Sequence, residues 1–240
     1  MLESLRAGRD IERLVMIDNI ELGAQLREII ILAEAAGIPV DAVSRRELEG
    51  QSQTKRSQGV LAVVPDPRYH SPEDFVTAAN RKGESALIVM LDGVQDPHNL
   101  GAIARTADAA GAHGLIIPER RAVGITPGAV SASAGALEHV RVARVVNLNR
   151  AIEGLKEAGV LVVGLDADGE IGYAEADFTG PVVIVVGSEG KGLSRLVREN
   201  CDQIVSIPMA GKLSSLNVSV SAGIVLYEVL RQRNAKTSAG

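Results

Sequence analysis

Three stretches of the sequence combine glycines with polar side chains that could bind a ligand or take part in catalysis. They read DGVQDPHNLGAIARTADAAGA (92–112), GSEGKGLS (187–194) and IPMAGKLSSLNVSVSAG (207–223). Each stretch follows an apolar run that is typical of a buried strand in a parallel sheet. Because ligands bind beyond the carboxyl ends of such strands, the three stretches are predicted to lie at one site.

The first stretch is predicted to form a helix that Asn99 caps and Gly111 ends. Helical spacing then places Gly101, Arg105 and Asp108 on one face. Two interpretations of this face stay open. It could carry an exposed Arg105–Asp108 ion pair of little energetic value, or it could present Arg105 to an anion while Gly101 leaves room beside it.

The second stretch looks like a phosphate-binding loop but lacks the required spacing. In the Walker pattern GxxxxGK[ST] the first glycine lies five residues before the second, whereas Gly187 lies only three before Gly190, and Lys191 is followed by glycine. A nucleotide hydrolase is therefore disfavoured. The segment is either a plain tight turn or a ligand loop that carries the carboxylate of Glu189.

The third stretch begins as a strand and ends as an apolar helix. Four serines and Asn217 lie in between, although serine and asparagine are poor helix formers. Helix capping explains one of these residues, and Ser214 or Ser215 is predicted to be the cap. Capping leaves the other polar residues of the stretch unexplained.

Composition narrows the class of protein. The 240 residues are 46% hydrophobic, and no apolar run approaches the length of a membrane-spanning helix. The N-terminal segment lacks the apolar core of a signal peptide, so a soluble cytoplasmic protein is predicted. With Cys201 as the single cysteine and four scattered histidines, an internal disulfide is excluded and no metal site is expected.

The net charge of −5 does not exclude a nucleic-acid partner, because net charge does not describe the local surface. Basic residues are clustered at four places along the chain: Arg6, Arg9 and Arg13; Arg45 and Arg46; Lys55 and Arg56; Arg120 and Arg121. Three tyrosines and two phenylalanines leave little for base stacking. Any RNA binding is therefore expected to depend mainly on phosphate contacts and shape.

The hydrophobic pattern divides the chain into a small N-terminal α/β domain (1–66), a linker with about one helical turn (67–84) and a larger α/β domain (85–240). The first domain shows a strand–helix–strand–strand rhythm. In the second, helices alternate with apolar strands. The strands are predicted at 86–91, 114–118, 160–165, 182–187 and 203–208. This alternation predicts a parallel sheet covered by helices on both faces.

Taken together, the three stretches resemble the motifs of the SpoU (TrmH) branch of the SPOUT RNA methyltransferases, and the match spans about 85–233. The segment SASAGALEHVRVARV (131–145) also resembles the bacterial 23S rRNA ribose methyltransferases, which include the guanosine enzyme. The first domain resembles the ribosomal-protein-like domain that binds substrate in many such enzymes. Those relatives begin with a short extra strand before the segment that matches LESLRAG, so either the start is trimmed or the first sheet has a weaker edge.

The resemblance implies S-adenosylmethionine as methyl donor, a ribose 2′-hydroxyl of RNA as acceptor, a C-terminal trefoil knot and a homodimer whose active site borrows residues across the interface. Ribosomal RNA, and 23S rRNA within it, is the expected substrate. The alternatives are a tRNA ribose methyltransferase, an antibiotic-resistance rRNA methyltransferase and a non-catalytic RNA-binding assembly factor.

The resemblance also assigns roles by position. The expected catalytic residues are Asn99, Arg105, Glu189, Ser215 and Asn217. The expected cofactor-binding residues, acting through their backbone, are Gly187, Ile207 and Leu216. The expected RNA-binding residues of the first domain are Arg9, Arg13, Lys55, Arg56 and Gln58. In the mechanistic hypothesis Arg105 grips a phosphate and stabilises alkoxide charge, Asn99, Ser215 and Asn217 orient the ribose and Arg105, and Glu189 holds the loop or Arg105 in place.

Overall fold

The computed structural model of the chain describes residues 2–6, 11–20, 23–51, 59–65 and 68–238. The chain divides into two compact units at residue 67. Within the described ranges, the helices are all too short or too polar to cross a membrane.

The first unit is a three-stranded sheet with helices packed against it. Its elements are α1 (Leu2–Arg6), β1 (Arg13–Ile17), α2 (Ala24–Ala35), β2 (Val40–Val43), α3 (Arg45–Gln51) and β3 (Val60–Val63). The strand order is β2-β1-β3, with β2 parallel and β3 antiparallel to the central β1. Gly37, at φ +68°, follows α2 as the sequence predicts, because only glycine adopts this left-handed conformation without strain. The short helices α1 and α3 were not predicted.

The second unit is a seven-stranded parallel sheet between two layers of helices. Its elements are α4 (Pro72–Lys82), β4 (Leu87–Asp92), α5 (Pro97–Ala109), β5 (Gly114–Pro118), α6 (Pro127–Ala132), a 3₁₀ turn (Ala136–Glu138), β6 (Val142–Val145), α7 (Leu148–Glu157), β7 (Leu161–Leu165), β8 (Ile171–Gly172), β9 (Val182–Gly187), α8 (Arg195–Asn200), β10 (Gln203–Ser206) and α9 (Val218–Ser238). The order is β6-β5-β4-β9-β7-β10-β8. The predicted α/β class with a parallel sheet is confirmed, whereas the knot stays a prediction.

Alternate residues of the central strands supply two separate cores. Leu87, Val89 and Leu91 of β4 point to the layer of α5, α6 and α9, where they pack with residues such as Ile103. Ile88 and Met90 point to the opposite layer, where they pack with α4, α7 and α8. Burial on both faces explains why the strands read as unbroken apolar runs.

The prediction that the linker contains only about one helical turn is wrong. The segment contains the three-turn helix α4. Ser71 and Asp74 form a capping box at its start, and Pro72 occupies the first helical position. Phe75 of α4 is fully buried and fills the space beside Gly114, where a Cβ would lie 2.4 Å from the ring. The charged and proline-rich composition hid a helix whose apolar side belongs to the second core.

Candidate active site

The strands that precede the three glycine-containing stretches run in parallel and end at the same edge of the sheet. Asp92 at the end of β4 is paired in register with Gly187 at the end of β9. Strand β10, two places further along, ends at Ser206. The loops after these strands therefore meet beyond the carboxyl edge, as predicted for a ligand site in this class of fold.

Asn99 lies in the first turn of α5 but does not cap it, so the capping prediction is wrong. Asp96 is the cap and accepts a hydrogen bond from the backbone N–H of His98 at 2.8 Å, and Pro97 follows at the first helical position. Asn99 is 8% exposed. Gly111 (φ +74°) ends the helix region as predicted. Because capping does not use the side-chain amide of Asn99, this amide is available to contact the other two loops.

Three of the five predicted catalytic residues are joined by side-chain hydrogen bonds. The Nδ2 of Asn99 donates to Oε1 of Glu189 at 2.5 Å. The Nδ2 of Asn217 donates to Oδ1 of Asn99 at 3.1 Å. The Oδ1 of Asn217 accepts from both the N–H (2.9 Å) and the hydroxyl (2.6 Å) of Ser219. Residues 90 and 118 positions apart thus form one chain of hydrogen bonds, which we call the amide relay.

The hydrogen bonds of the amide relay all run in the same direction, from Ser219 to Glu189. Every donor in it points towards the carboxylate of Glu189, so both asparagine orientations follow from their partners. Each amide NH₂ group keeps one hydrogen that the relay does not use, and Glu189 keeps one oxygen. Asn217 also caps α9 through Ser219, which corrects the prediction that Ser214 or Ser215 is the cap. The relay therefore fixes two amides and one carboxylate at the sheet edge with spare donors and acceptors.

The turn that carries Glu189 is held by backbone contacts that only glycine allows. Ser188 and Gly192 exchange two backbone hydrogen bonds of 3.0 and 3.1 Å. A Cβ on Gly187 would lie 2.2 Å from the carbonyl carbon of Gly192, and Gly190 and Gly192 have φ values of +82° and +64°. The plain-turn and ligand-loop interpretations are therefore compatible, because the tight turn is what holds Glu189 beside Asn99.

The loop after β10 leaves its backbone unpaired. Among the described residues, 207–216 make no backbone hydrogen bond with another part of the chain. Ile207 is partly buried against the core, whereas Leu216 is 37% exposed next to Asn217. Unpaired N–H and C=O groups beside apolar side chains can bind the polar edge and flat face of a ligand.

Arg105 and Ser215 lie outside the amide relay. Both are exposed, and neither makes a hydrogen bond or ion pair with any described residue. The postulated Arg105–Asp108 ion pair is not formed within the described ranges. Gly101 does not open space beside Arg105 either, since it is buried against α6, where a Cβ would lie 2.5 Å from the carbonyl oxygen of Ala129. Glu189 contacts Asn99 and not Arg105, so it does not hold the arginine in place.

Sequence reasoning missed Asp92, which anchors the second loop. Its Oδ2 accepts a hydrogen bond of 2.6 Å from the backbone N–H of Ser194, the residue that precedes α8. The signal was present, because Asp92 is the first polar residue after an apolar strand. Burial raises the pKa of the Cys201 thiol to about 11, which disfavours a nucleophilic thiolate at neutral pH.

The RNA-binding residues predicted in the first unit are mostly not described. Arg9, Lys55, Arg56 and Gln58 lie outside the described ranges. Arg13 is exposed at the start of β1, and its guanidinium forms an ion pair of 3.1 Å with Asp41. The predicted RNA contact of Arg13 would therefore compete with this intramolecular partner.

The sequence matches two protein families. Residues 86–227 match the SpoU rRNA Methylase family. Residues 1–70 match a family described as RNA 2′-O ribose methyltransferase substrate binding. The TrmH family protein YacO of Bacillus subtilis (strain 168), named as a tRNA/rRNA methyltransferase, is 47% identical over 234 residues, which cover 98% of this chain and 93% of YacO.

Two solved structures extend the comparison. An AdoMet-bound rRNA methyltransferase from Sinorhizobium meliloti superposes with a TM-score of 0.74 at 30% identity, covering 96% of this chain and 83% of that one. A TrmH/SpoU tRNA-modifying enzyme from A. aeolicus gives a TM-score of 0.59 at 34% identity, covering 69% of this chain and 86% of that one. The fold, the three loops and both units of the chain thus have relatives among RNA-modifying proteins.

Proposed function

Because the chain belongs to the SpoU rRNA methylase family, we propose that it transfers a methyl group from S-adenosylmethionine to a ribose 2′-hydroxyl in ribosomal RNA. The observation that carries the proposal is the amide relay, which joins Asn99, Glu189 and Asn217 beyond the carboxyl edge of the sheet. A protein that only binds RNA has no need for such a relay. The AdoMet found in the Sinorhizobium meliloti structure supports the choice of donor.

Ribosomal RNA is the proposed substrate because of the first unit. The rRNA methyltransferase of Sinorhizobium meliloti covers 96% of the chain, whereas the A. aeolicus tRNA-modifying enzyme covers 69%. The first unit also matches a substrate-binding family. Within ribosomal RNA, the resemblance of the second unit favours 23S rRNA. A tRNA remains the second candidate, since the name of YacO includes both kinds of RNA.

The loops offer groups that fit the cofactor. The unpaired backbone of 207–216 can bind the polar edge of adenosine, and the partly buried Ile207 and exposed Leu216 can contact its ring. Gly187 lets the neighbouring turn close tightly, because a Cβ there would lie 2.2 Å from the carbonyl carbon of Gly192. When bound, S-adenosylmethionine supplies a methyl group on a positively charged sulfur. The loops then have to orient the donor and exclude water from it.

The other task of the chain is to orient the ribose and stabilise its developing charge. The amide groups of Asn99 and Asn217 can each donate their unused hydrogen to a ribose oxygen. The hydroxyl of the exposed Ser215 can also donate to a ribose oxygen. Arg105 cannot act as a base, because a guanidinium keeps its proton at physiological pH. In the proposed mechanism it grips the phosphate of the target nucleotide and stabilises the alkoxide, while the proton leaves to that phosphate or to water.

A homodimer is part of the proposal. Apolar side chains of the third loop and α9 are exposed, among them Leu213 (75%), Val220 (50%) and Tyr227 (52%). Exposed apolar side chains of this size next to a site are typical of an interface when they form a patch. A second copy on this surface would bring its own residues to the site and could receive Arg105, which is exposed and has no partner among the described residues.

The test combines mapping with one substitution. Positions of 2′-O-methylation in rRNA and tRNA are compared between cells with and without the gene, and the purified chain is assayed for methyl transfer to the mapped RNA. Arg105→Lys keeps the charge but loses the two-pronged contact to phosphate, so we expect kcat to fall by about 100-fold while cofactor binding persists. Arg81→Lys on α4 is the matched control. Full activity of Arg105→Lys would refute the assigned role.

A further inference from the structure

The basic pair Arg120–Arg121 has no role in the site described above. Both residues lie on the loop 119–126 that follows β5, and both are exposed. Their guanidinium groups make no hydrogen bond or ion pair with any residue that the structure describes. Glu119 is the only carboxylate of this loop. Two adjacent arginines without intramolecular partners indicate a surface for an anionic ligand.

The loop is held firmly enough to position these arginines. Its Val123 N–H donates to the carbonyl of Val94 at 3.0 Å, and Val123 and Ile125 pack against the core. Arg121 has a φ of +60°, a left-handed conformation that is uncommon outside glycine. Such strained backbone persists where its surroundings impose it, and it is concentrated at functional sites.

The loop lies directly beside the candidate active site. A Cβ on Gly93, in the turn that leads into α5, would lie 4.0 Å from the carbonyl oxygen of Arg121 and 3.5 Å from Cβ of Ser188. Ser188 precedes Glu189, the last member of the amide relay. Arg121 and the relay are thus separated by a single turn of chain at the same edge of the sheet.

On its other side the loop lies next to an aromatic residue, Tyr69, and a third arginine, Arg144. The hydroxyl of Tyr69 lies 3.9 Å from where a Cβ on Gly124 would be. The guanidinium of Arg144, on the edge strand β6, lies 5.6 Å from the centre of the Tyr69 ring. Its Nη2 lies 3.5 Å from the carbonyl oxygen of Glu119. We call the four exposed residues Tyr69, Arg120, Arg121 and Arg144 the arginine strip.

We propose that the arginine strip binds RNA next to the target nucleotide, with Arg120 and Arg121 on phosphates and Tyr69 and Arg144 offering stacking surfaces. Arginine suits this task because its planar fork matches phosphate oxygens and also stacks on bases. RNA is named because of the proposed function, on which the proposal rests. The strip gives the second unit its own grip on the substrate, separate from the capture predicted for the first unit.

The test uses the full chain and a double variant, Arg120→Gln with Arg121→Asn. Asparagine is chosen at 121 because it tolerates the left-handed conformation. Arg81→Gln with Lys82→Gln is the control, since it removes the same charge from the end of α4, before the amino end of β4. Affinity for a fluorescently labelled single-stranded RNA oligonucleotide and for protein-free ribosomal RNA is measured at several salt concentrations.

We expect the double variant to lower the slope of log affinity against log salt by about 1.4, or about 0.7 for each lost phosphate contact on single-stranded RNA. If the double variant and the unaltered chain bind equally at 1 M salt, where phosphate contacts contribute little, this slope corresponds to about 25-fold weaker binding of the variant at 0.1 M. The control should bind like the unaltered chain. Equal slopes for the double variant and the control would refute the proposal.

Two further measurements separate the possible failures. Calorimetric binding of S-adenosylmethionine and the thermal midpoint show whether the double variant is folded, and if it is not, Arg120→Gln alone is expected to lower the slope by about 0.7. If the unaltered chain transfers no methyl group to ribose, the proposed function fails. The RNA-binding comparison then still decides the role of the arginine strip.

Discussion

Replacing Asn99 with aspartate keeps the shape of the side chain but exchanges its donor for an acceptor. In the native chain the Nδ2 of Asn99 donates to Glu189 at 2.5 Å, and its Oδ1 accepts from Asn217. In Asn99→Asp the second contact can persist, whereas the first becomes a meeting of two carboxylates. The substitution therefore tests one bond of the amide relay without creating a cavity.

The expected loss at pH 7 is about 3 kcal/mol of unfolding free energy. A hydrogen bond to a charged group contributes about 1.5 kcal/mol at the low end of its range. Two unit charges about 3 Å apart in a water-like dielectric repel by about 1.4 kcal/mol. The water-like value is used because Glu189 is exposed. The same change should abolish methyl transfer, since the amide of Asn99 is lost and Glu189 no longer accepts a hydrogen bond from position 99.

The pH dependence gives the sharper result. Repulsion raises the pKa of the carboxylate pair in the folded variant above that of an unfolded carboxyl group, so the folded variant binds a proton more readily. One shared proton restores a hydrogen bond between the two groups. The deficit in stability should therefore be present at pH 7 and become smaller as the pH falls towards 5.

Urea unfolding of the native chain, Asn99→Asp and the control Asn80→Asp at pH 7 and pH 5 provides the measurement. Asn80 is exposed near the end of α4, where an added negative charge should cost less than about 1 kcal/mol. The reasoning fails if Asn99→Asp loses no more stability than the control, or if its deficit is the same at both pH values.

Three more predictions follow from local geometry. Gly187→Ala should weaken cofactor binding at least tenfold in calorimetry, because its Cβ would collide with Gly192 at 2.2 Å. Asn217→Ala should lower methyl transfer by about 100-fold but lower the unfolding free energy, measured in urea, only by the value of a helix cap, about 1 kcal/mol. Burial lowers the pKa of His113 in the folded chain. As the pH drops below about 6.5, His113 therefore binds a proton more readily in the unfolded chain than in the folded chain, and the unfolding free energy should fall. That slope should be reduced in His113→Gln, measured between pH 7.5 and 5.5.

The central strands could be predicted from the sequence because burial on both faces leaves an unbroken apolar run. The edge strands could not. Strand β6 has an exposed arginine, Arg144, in only four residues, and β8 has only two residues, Ile171–Gly172. Helix α4 was hidden by its composition, although Ser71, Pro72 and Asp74 form a complete start signal.

Three of the five residues predicted to be catalytic lie together in the structure, and the contacts between them were not predicted. Asn99, Glu189 and Asn217 were selected from three separate stretches, and the structure brings them together. Their pairing could not be derived from local spacing, because it depends on which strands are neighbours in the sheet. The capping role given to Asn99 was wrong because Asp96 and Pro97 form a stronger helix start three residues earlier.

The amide relay can form only late in the synthesis of the chain. Its members lie 90 and 118 residues apart. At about 5 to 20 residues per second, a ribosome needs roughly 6 to 24 s to add the 118 residues between Asn99 and Asn217. Throughout that interval Asn99 has no Asn217 with which to pair. An unfinished copy that already carries the first unit therefore lacks the complete amide relay on which the proposed methyl transfer depends.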